Sequence, residues 1–261
     1  MAYANNNGVR IYYEVTGEGV PFVMLHANPC DHRMWMYQIS HFSKFFRVIA
    51  LDMRGYGRTD KVETAFTFDD LVYDVIKVCE KEKVENGILA GASMGSKIAF
   101  KIGVEYPELF QAQIHVGGNS FRGDSYDGRI TGYENEDLPK YRANHLKELF
   151  APGFSESSRG HYLSKVILED SSNLSGKAIG SLFRAFDNLG LSASVSSIKV
   201  PVLIVNGVTD NSLVGGKKTA DLIDNSVHKT IPNAGHLCIL EKPEIFDAHC
   251  QVFLKQHGFL P

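Results

Sequence analysis

The sequence is short of the residues that build a metal site or a disulfide framework. Its 261 residues include four cysteines, which lie far apart and form no C-x-x-C pair: Cys30, Cys79, Cys238 and Cys250. Metal-binding and disulfide-rich domains instead concentrate cysteine at short, regular spacings. We therefore interpret these cysteines as small apolar residues and expect no metal.

Basic clusters and long apolar runs are also missing. The formal net charge is -3, with 27 basic and 30 acidic residues and no dense block of lysine and arginine. Because nucleic-acid-binding domains usually carry such a block, we expect no nucleic-acid partner. No apolar run approaches the ~18 residues of a membrane span. Residues 1–7 lack the regions of a signal peptide, so we expect a soluble, cytoplasmic protein with no membrane partner.

The sequence does contain short apolar runs that alternate with longer helical stretches. Residues 22–25, 47–51 and 202–205 are mostly apolar, which is typical of strands buried on both faces of a parallel sheet. Residues 68–83 and 95–105 place apolar side chains three and four positions apart, as helices do. The alternation predicts an α/β fold with helices on both faces of the sheet. Further runs predict strands at residues 9–15, 87–90, 114–116 and 227–231.

The stretch from residue 119 to residue 197 breaks this rhythm. It is rich in aromatic residues, holds no convincing parallel strand and fits several short helices. Because it lies between two predicted strands, we interpret it as an inserted helical cap, or lid. Residues 1–118 and 198–261 then form the core domain.

Residues 91–95, Gly-Ala-Ser-Met-Gly, match the pattern G-x-S-x-G. The match follows a predicted strand and opens a predicted helix, and such a sharp turn needs small residues around its serine. The turn places the serine at a helix N-terminus, where free backbone N–H groups and the helix dipole favour a developing oxyanion. We predict Ser93 as a nucleophile; the alternative is a glycine-rich turn with an N-capping serine.

A serine nucleophile needs a base, and the base needs an acid that orients it. Of ten histidines, His236 alone lies in the loop directly after the last predicted strand, a loop that Gly235 makes tight. Asp210 lies in the loop after the strand at residues 202–205. Sites in open α/β sheets form at this carboxyl edge. We predict His236 as the base and Asp210 as the acid; a structural histidine and a turn aspartate are the alternatives.

With its residues in the order serine, aspartate, histidine, the chain resembles the α/β-hydrolase family over residues 8–258. Other segments carry the same resemblance: residues 25–29 (LHANP), 52–60 (DMRGYGRTD), 200–210 and 234–246. The resemblance implies a mostly parallel, eight-stranded sheet with an inserted helical cap.

The resemblance also implies an oxyanion hole made of the backbone N–H groups of Asn28 and Met94. One departure bears on it, because family members commonly have glycine where this chain has Ala27. Alanine would be strained there if the position needed a positive φ. His26 and Trp35 are possible residues of the pocket wall, and a place in the core is the alternative for Trp35.

Together these motifs predict a serine hydrolase that cleaves a small carboxylic ester, thioester or lactone through an acyl-enzyme on Ser93. No metal or organic cofactor is expected, and the expected partner is the small-molecule ester substrate. Three alternatives use the same scaffold: a cofactor-free haloperoxidase or perhydrolase, a C–C bond hydrolase, and a ligand receptor with very slow turnover. Related haloalkane dehalogenases need an aspartate nucleophile, so Ser93 argues against that reaction.

Overall fold

An eight-stranded sheet forms the centre of the fold. The computed structural model describes residues 2–123, 125–187 and 189–261. The strands are β1 (Ala2–Asn6), β2 (Val9–Thr16), β3 (Pro21–Leu25), β4 (Arg47–Leu51), β5 (Gly87–Ala92), β6 (Phe110–Val116), β7 (Val202–Gly207) and β8 (Ser226–Ile231). Their order is β1-β2-β4-β3-β5-β6-β7-β8. Strand β2 pairs antiparallel with β1 and β4, and all other pairs are parallel, so the predicted α/β class is confirmed.

Helices cover the sheet. Within the described ranges they are α1 (Met36–Phe42), α2 (Phe68–Lys81), α3 (Met94–Glu105), α4 (Asp127–Asn135), α5 (Leu138–Glu148), α6 (Ser158–Leu168), α7 (Gly176–Phe186), α8 (Leu213–Ala220), α9 (Cys238–Glu241) and α10 (Pro243–Gln256). Helices α2 and α3 agree with the two predicted helices to within one or two residues. None of the described helices combines the length and the apolar content needed to cross a bilayer.

The central strands are apolar at successive positions because both faces of the sheet are buried. In β3, Met24 lies in one apolar cluster with Phe42 of α1 and Phe246 of α10. The next residue, Leu25, lies in a second cluster with Ile98 of α3. Successive side chains of a strand point to opposite faces, so the two clusters are the two sides of the sheet. Burying each such side chain contributes about 1.5–3 kcal/mol.

Strand β1 has no counterpart among the predicted strands. It pairs with β2 in a hairpin whose two-residue turn is Asn7-Gly8, with φ values of 51° and 90°. Tight hairpins of this kind need positive φ at both turn residues, and Asn-Gly is a preferred sequence for them. The Asn-Gly dipeptide directly before β2 is therefore the signal that identifies β1.

The topology places the predicted site residues at one edge of the sheet. Strands β3, β5, β6, β7 and β8 run parallel, so the loops that follow them meet at a common carboxyl edge. These loops hold the predicted oxyanion, nucleophile, acid and base residues. Helices α4 to α7 lie between β6 and β7 in the chain, and no strand occurs there among the described residues.

Candidate active site

Ser93 lies in a strained turn between β5 and α3. Its φ of 52° and ψ of -109° fall outside the regions that residues with side chains ordinarily adopt. The flanking glycines have no room for a side chain: a Cβ on Gly91 would lie 2.4 Å from the carbonyl oxygen of Gly95. A Cβ on Gly95 would lie 2.5 Å from the carbonyl oxygen of Leu25. The spacing G-x-S-x-G is therefore what this backbone requires.

Backbone hydrogen bonds from two sides hold this turn. The Ser93 N–H donates to the carbonyl of Val116 at 2.8 Å, which ties the turn to the end of β6. The Ser93 carbonyl accepts from the N–H groups of Ser96 at 3.0 Å and Lys97 at 3.3 Å, in the first turn of α3. Backbone strain of about 1–3 kcal/mol persists only where the surroundings impose it, and the strand and the helix do so here.

His236 lies in the loop after β8 and is hydrogen-bonded to Asp210. Its Nδ1 lies 2.8 Å from Asp210 Oδ1, and 11% of the His236 side chain is exposed, against none of the Asp210 side chain. The His236 N–H donates to the carbonyl of Leu149 at 2.8 Å, so the loop is tied to the residue after α5. An Nδ1 proton donated to the carboxylate leaves Nε2 as an acceptor, which is the tautomer that a general base needs.

Asp210 accepts four hydrogen bonds. Its Oδ1 takes His236 Nδ1 and the Ser212 N–H, and its Oδ2 takes Ser212 Oγ and Asn206 Nδ2, all at 2.8–2.9 Å. Burial by itself raises the pKa of this carboxyl, but the charge of His236 and the hydrogen bonds outweigh burial and lower the pKa to about 2. Asp210 is therefore ionised throughout the neutral range, as an orienting acid must be.

The lowered pKa of Asp210 predicts a loss of stability in acid. Folding stabilises the carboxylate form, so this contribution is present above the ordinary pKa of 3.8 and is lost as the pH falls towards about 2. It amounts to roughly 2 kcal/mol, of which about half should be lost by pH 3. Urea unfolding at pH 5 and pH 3 measures the change. We expect a larger loss in the wild type than in Asp210→Asn; an equal loss would contradict this assignment.

Ser93 and His236 line one cavity of about 230 Å³. The chain between β6 and β7 contributes Tyr126, His145 and Phe183 to its wall. In the described structure no hydrogen bond joins the Ser93 hydroxyl to His236; such catalytic bonds often tighten only when substrate binds. The cavity brings together the predicted nucleophile and base, and the bond to Asp210 adds the predicted acid.

The end of β6 and the residue after it contact both Ser93 and His236. Val116 accepts the Ser93 N–H, and the next residue, Gly117, lies against the imidazole of His236. A Cβ on Gly117 would lie 3.0 Å from Nδ1 and Cε1 of that ring, and the φ of Gly117 is 57°. Glycine at this position therefore lets the imidazole approach the strand that anchors the serine.

Asn28 and Met94, the predicted oxyanion residues, line the same cavity. Among the described residues neither backbone N–H has a hydrogen-bond acceptor, and Met94 is the first residue of α3, whose N–H has no partner inside its helix. Ala27 is not strained, because its φ is not among the positive values found in the described chain. Alanine in place of glycine is therefore compatible with this loop, and the two N–H groups remain the predicted oxyanion hole.

Comparison with known proteins identifies the family. The sequence profile of the alpha/beta hydrolase fold matches residues 20–243, which is most of the chain. The chain belongs to the alpha/beta hydrolase fold family.

Similar proteins align with this alpha/beta hydrolase over nearly its whole length. The AB hydrolase superfamily protein YisY of Bacillus subtilis (strain 168) is 29% identical over 257 residues, which cover 90% of this chain and 92% of the relative. The (E)-2-((N-methylformamido)methylene)succinate hydrolase of Acinetobacter baylyi is 26% identical over 256 residues, 96% of each chain. The enol-lactonase structure from Burkholderia xenovorans LB400 superposes with a TM-score of 0.90 at 22% identity, over 97% of this chain and 100% of that one.

A buried group of two aspartates and a histidine lies close to the loop that holds Asn28. The ligand atoms of Asp31, His32 and Asp52 lie within 4.8 Å of one another, close enough to share a metal ion. However, Asp52 Oδ1 already accepts from His32 Nδ1 at 2.7 Å, and its Oδ2 accepts the Arg58 N–H at 2.8 Å. These atoms brace the loop after β4 by hydrogen bonds, so we assign no metal site to them.

The two predicted wall residues, His26 and Trp35, are not among the described residues that line the cavity. His26 is fully buried, and its Nε2 accepts the Met53 N–H at 2.8 Å while Nδ1 donates to the Ala27 carbonyl at 2.9 Å. Trp35 is 1% exposed and packs near Phe246 in the core. His26 thus joins the loops after β3 and β4, and Trp35 lies in the core.

Two further residues of this alpha/beta hydrolase have no predicted role. Lys97 lines the cavity one helical turn after Ser93, and the i, i+4 spacing is the signal that could have identified it. Glu241 is buried and accepts the N–H groups of Gly235 at 2.8 Å and Ala151 at 3.0 Å. It thereby joins the His236 loop to the segment after α5, a contact that no local sequence pattern predicts.

Proposed function

We propose that this chain is a serine hydrolase with Ser93 as nucleophile, His236 as general base and Asp210 as the orienting acid. Its substrate is a small carboxylic ester, thioester or lactone. One observation carries the proposal: the 2.8 Å bond between His236 and Asp210 lies beside a cavity that His236 shares with a strained Ser93. A histidine or an aspartate with a purely structural role would not require this serine turn.

The reaction proceeds through an acyl-enzyme. Ser93 Oγ attacks the carbonyl carbon while His236 Nε2 takes its proton, and the N–H groups of Asn28 and Met94 stabilise the oxyanion. As the tetrahedral intermediate collapses, the imidazolium gives this proton to the leaving alcohol, thiol or ring oxygen. Water then attacks the acyl-enzyme, His236 takes a proton from the water, and that proton returns to Ser93 Oγ as the acid leaves.

Residues 119–197 act as the cap of this enzyme, and residues 1–118 and 198–261 as its core. The cap supplies Tyr126, His145 and Phe183 to the cavity, so it would shape the pocket for the acyl or alcohol group. Two of the similar proteins, a succinate-derivative hydrolase and an enol-lactonase, support hydrolysis of a small substrate.

A fluorophosphonate probe together with an ester screen tests the proposal. We expect the probe to modify Ser93, shown by mass spectrometry of the labelled peptide, and to leave Ser93→Ala unlabelled. A library that varies acyl length and alcohol size should contain esters that only the wild type hydrolyses. An unlabelled wild-type protein that turns over no ester of the library would overturn the proposal.

Replacing Gly117 with alanine is expected to reduce kcat for the best ester about 10- to 100-fold. The new methyl group would lie 3.0 Å from the His236 ring. The backbone would also have to keep a positive φ, which alanine disfavours. A displaced imidazole loses proton transfer, since a misplacement of ~1 Å can cost about 100-fold. Steady-state kinetics measures the effect.

Gly128→Ala is the matched control for this substitution. A Cβ on Gly128, in helix α4, meets nothing within 4 Å, so we expect wild-type kinetics and equal or slightly higher stability. Unchanged kcat in Gly117→Ala would show that the close approach of Gly117 to the imidazole has no part in catalysis.

A further inference from the structure

Lys97 is a buried lysine on the wall of the cavity that holds Ser93. It lies in the first turn of α3, four residues after the nucleophile, and its side chain lines the same cavity as Ser93. The residue is 7% exposed. A lysine is almost never buried to this extent unless its charge is paired, so its surroundings require an explanation.

The ammonium group of Lys97 is only partly satisfied. Nζ donates to the carbonyl of Phe121 at 2.6 Å and, more weakly, to the carbonyl of Asn119 at 3.4 Å. An ammonium has three donors, and no described acceptor takes the third. Among the described residues no aspartate or glutamate forms an ion pair with Lys97. Burial lowers the pKa of Lys97 to about 8, so the group still carries its charge at pH 7.

Among the described residues, the rest of the cavity wall contains no group that neutralises this charge. Among the described lining residues there is no carboxylate. Arg129, the second cation, is already paired with Glu148, whose carboxylate lies outside the cavity. Burial lowers the pKa of His145 to about 3, so this histidine is neutral. The wall therefore presents one unpaired positive charge close to the nucleophile.

We propose that the substrate carries a carboxylate and that Lys97 Nζ binds this carboxylate, one helical turn from the carbonyl that Ser93 attacks. This inference rests on the proposed hydrolase function and narrows its substrate to small anionic esters, thioesters or lactones. A single free ammonium matches the single charge of a carboxylate better than the double charge of a phosphate. The cavity of about 230 Å³ is smaller than the ~300–1,000 Å³ of pockets for drug-sized ligands, which favours a compact substrate.

Pairs of esters that differ only in charge test this inference. Monomethyl malonate, succinate and glutarate are each compared with the corresponding methyl ester amide, in which a neutral amide replaces the carboxylate. Release of methanol gives kcat/KM for each compound. We expect the wild type to prefer the acid over its amide at least tenfold in the best pair, as a charge-assisted hydrogen bond in a buried site allows.

Variants of two lysines in α3 assign the preference to a residue. We expect Lys97→Met to lower the acid-to-amide ratio at least tenfold and Lys97→Arg to keep part of it. Lys101→Met is the matched control, because Lys101 lies one turn further along α3 and is paired with Glu105. Its ratio should stay at the wild-type value. Because the readout is a ratio, a general loss of activity in a variant cancels.

The outcomes separate the two proposals. Hydrolysis of the neutral esters by wild type and not by Ser93→Ala, with an acid-to-amide ratio near one, overturns the inference and leaves the hydrolase function standing. An acid preference that survives in Lys97→Met overturns it as well. If Lys97→Met does not fold, the acid-to-amide ratios of the wild type and of Lys97→Arg decide whether the inference stands. If the wild type hydrolyses no ester and the probe labels no serine, both proposals fail.

Discussion

Ser93→Ala is expected to lower kcat/KM for ester hydrolysis by about four to six orders of magnitude. Alanine removes the oxygen that forms the acyl-enzyme, while His236, Asp210 and the oxyanion N–H groups stay in place. The residual rate then comes from water attacking a carbonyl that the N–H groups of Asn28 and Met94 still polarise. Steady-state kinetics on the best ester of the screen measures the loss, and the fluorophosphonate probe shows that no wild-type enzyme contaminates the variant.

Ser196→Ala is the control for this substitution, since Ser196 is an exposed serine in the short helical turn before β7 and lies outside the cavity. It should leave the rate unchanged. Ser93→Ala should also unfold at nearly the wild-type temperature, because alanine keeps the Cβ and the strained φ of 52°. A Ser93→Ala protein that folds and retains most of the wild-type rate would remove Ser93 from the mechanism.

Asp210→Asn is expected to reduce kcat by about three to four orders of magnitude with little change in KM. The carboxylate accepts the Nδ1 proton of His236 and, through Oδ1, the Ser212 N–H. An asparagine can turn its NH₂ group toward the imidazole, which then keeps its proton on Nε2 and cannot act as a base. If the NH₂ group turns the other way, it meets the NH₂ group of Asn206, so no orientation preserves all four hydrogen bonds.

The pH profile of Asp210→Asn distinguishes a lost base from a damaged fold. We expect residual activity to rise at high pH, where hydroxide can replace the general base, while circular dichroism stays native. Asp224→Asn is the matched control, because Asp224 is exposed and its carboxylate lies a long 3.5 Å from Lys199 Nζ. Wild-type kcat in a folded Asp210→Asn protein would contradict the orienting role of this carboxylate.

Much of the fold follows from local sequence pattern. The apolar runs at β3, β4, β5 and β7 predict buried parallel strands, and the apolar spacing in α2 and α3 predicts helices. Strand β1 is the exception, because its five residues, AYANN, are mostly small and polar, and only the Asn7-Gly8 turn marks it. The sequence also predicts the turn at Ser93 through Gly91 and Gly95. Both glycines are required because a Cβ at either position would clash with neighbouring backbone.

The roles of His26, Trp35 and Glu241 could not be obtained in that way. His26 lies two residues before Asn28, a predicted oxyanion residue, and this position in the sequence fits a place in the pocket wall as well as a place between two loops. Its contact with the Met53 N–H depends on how the loops after β3 and β4 approach each other. Glu241 accepts N–H groups from two segments ninety and six residues away in sequence, a pairing that arises only once the helical insertion lies on the core.

The sequence by itself determined the α/β class, the strained serine turn and the order of serine, aspartate and histidine, because short-range sterics and hydrophobic periodicity act within a few residues. Only the tertiary structure decided that His236 meets Asp210, that Gly117 lies against the imidazole and that no carboxylate of the described residues pairs with Lys97. Hydrogen bonds and ion pairs act over a few ångströms in space, between residues whose distance along the chain carries no information about their contact.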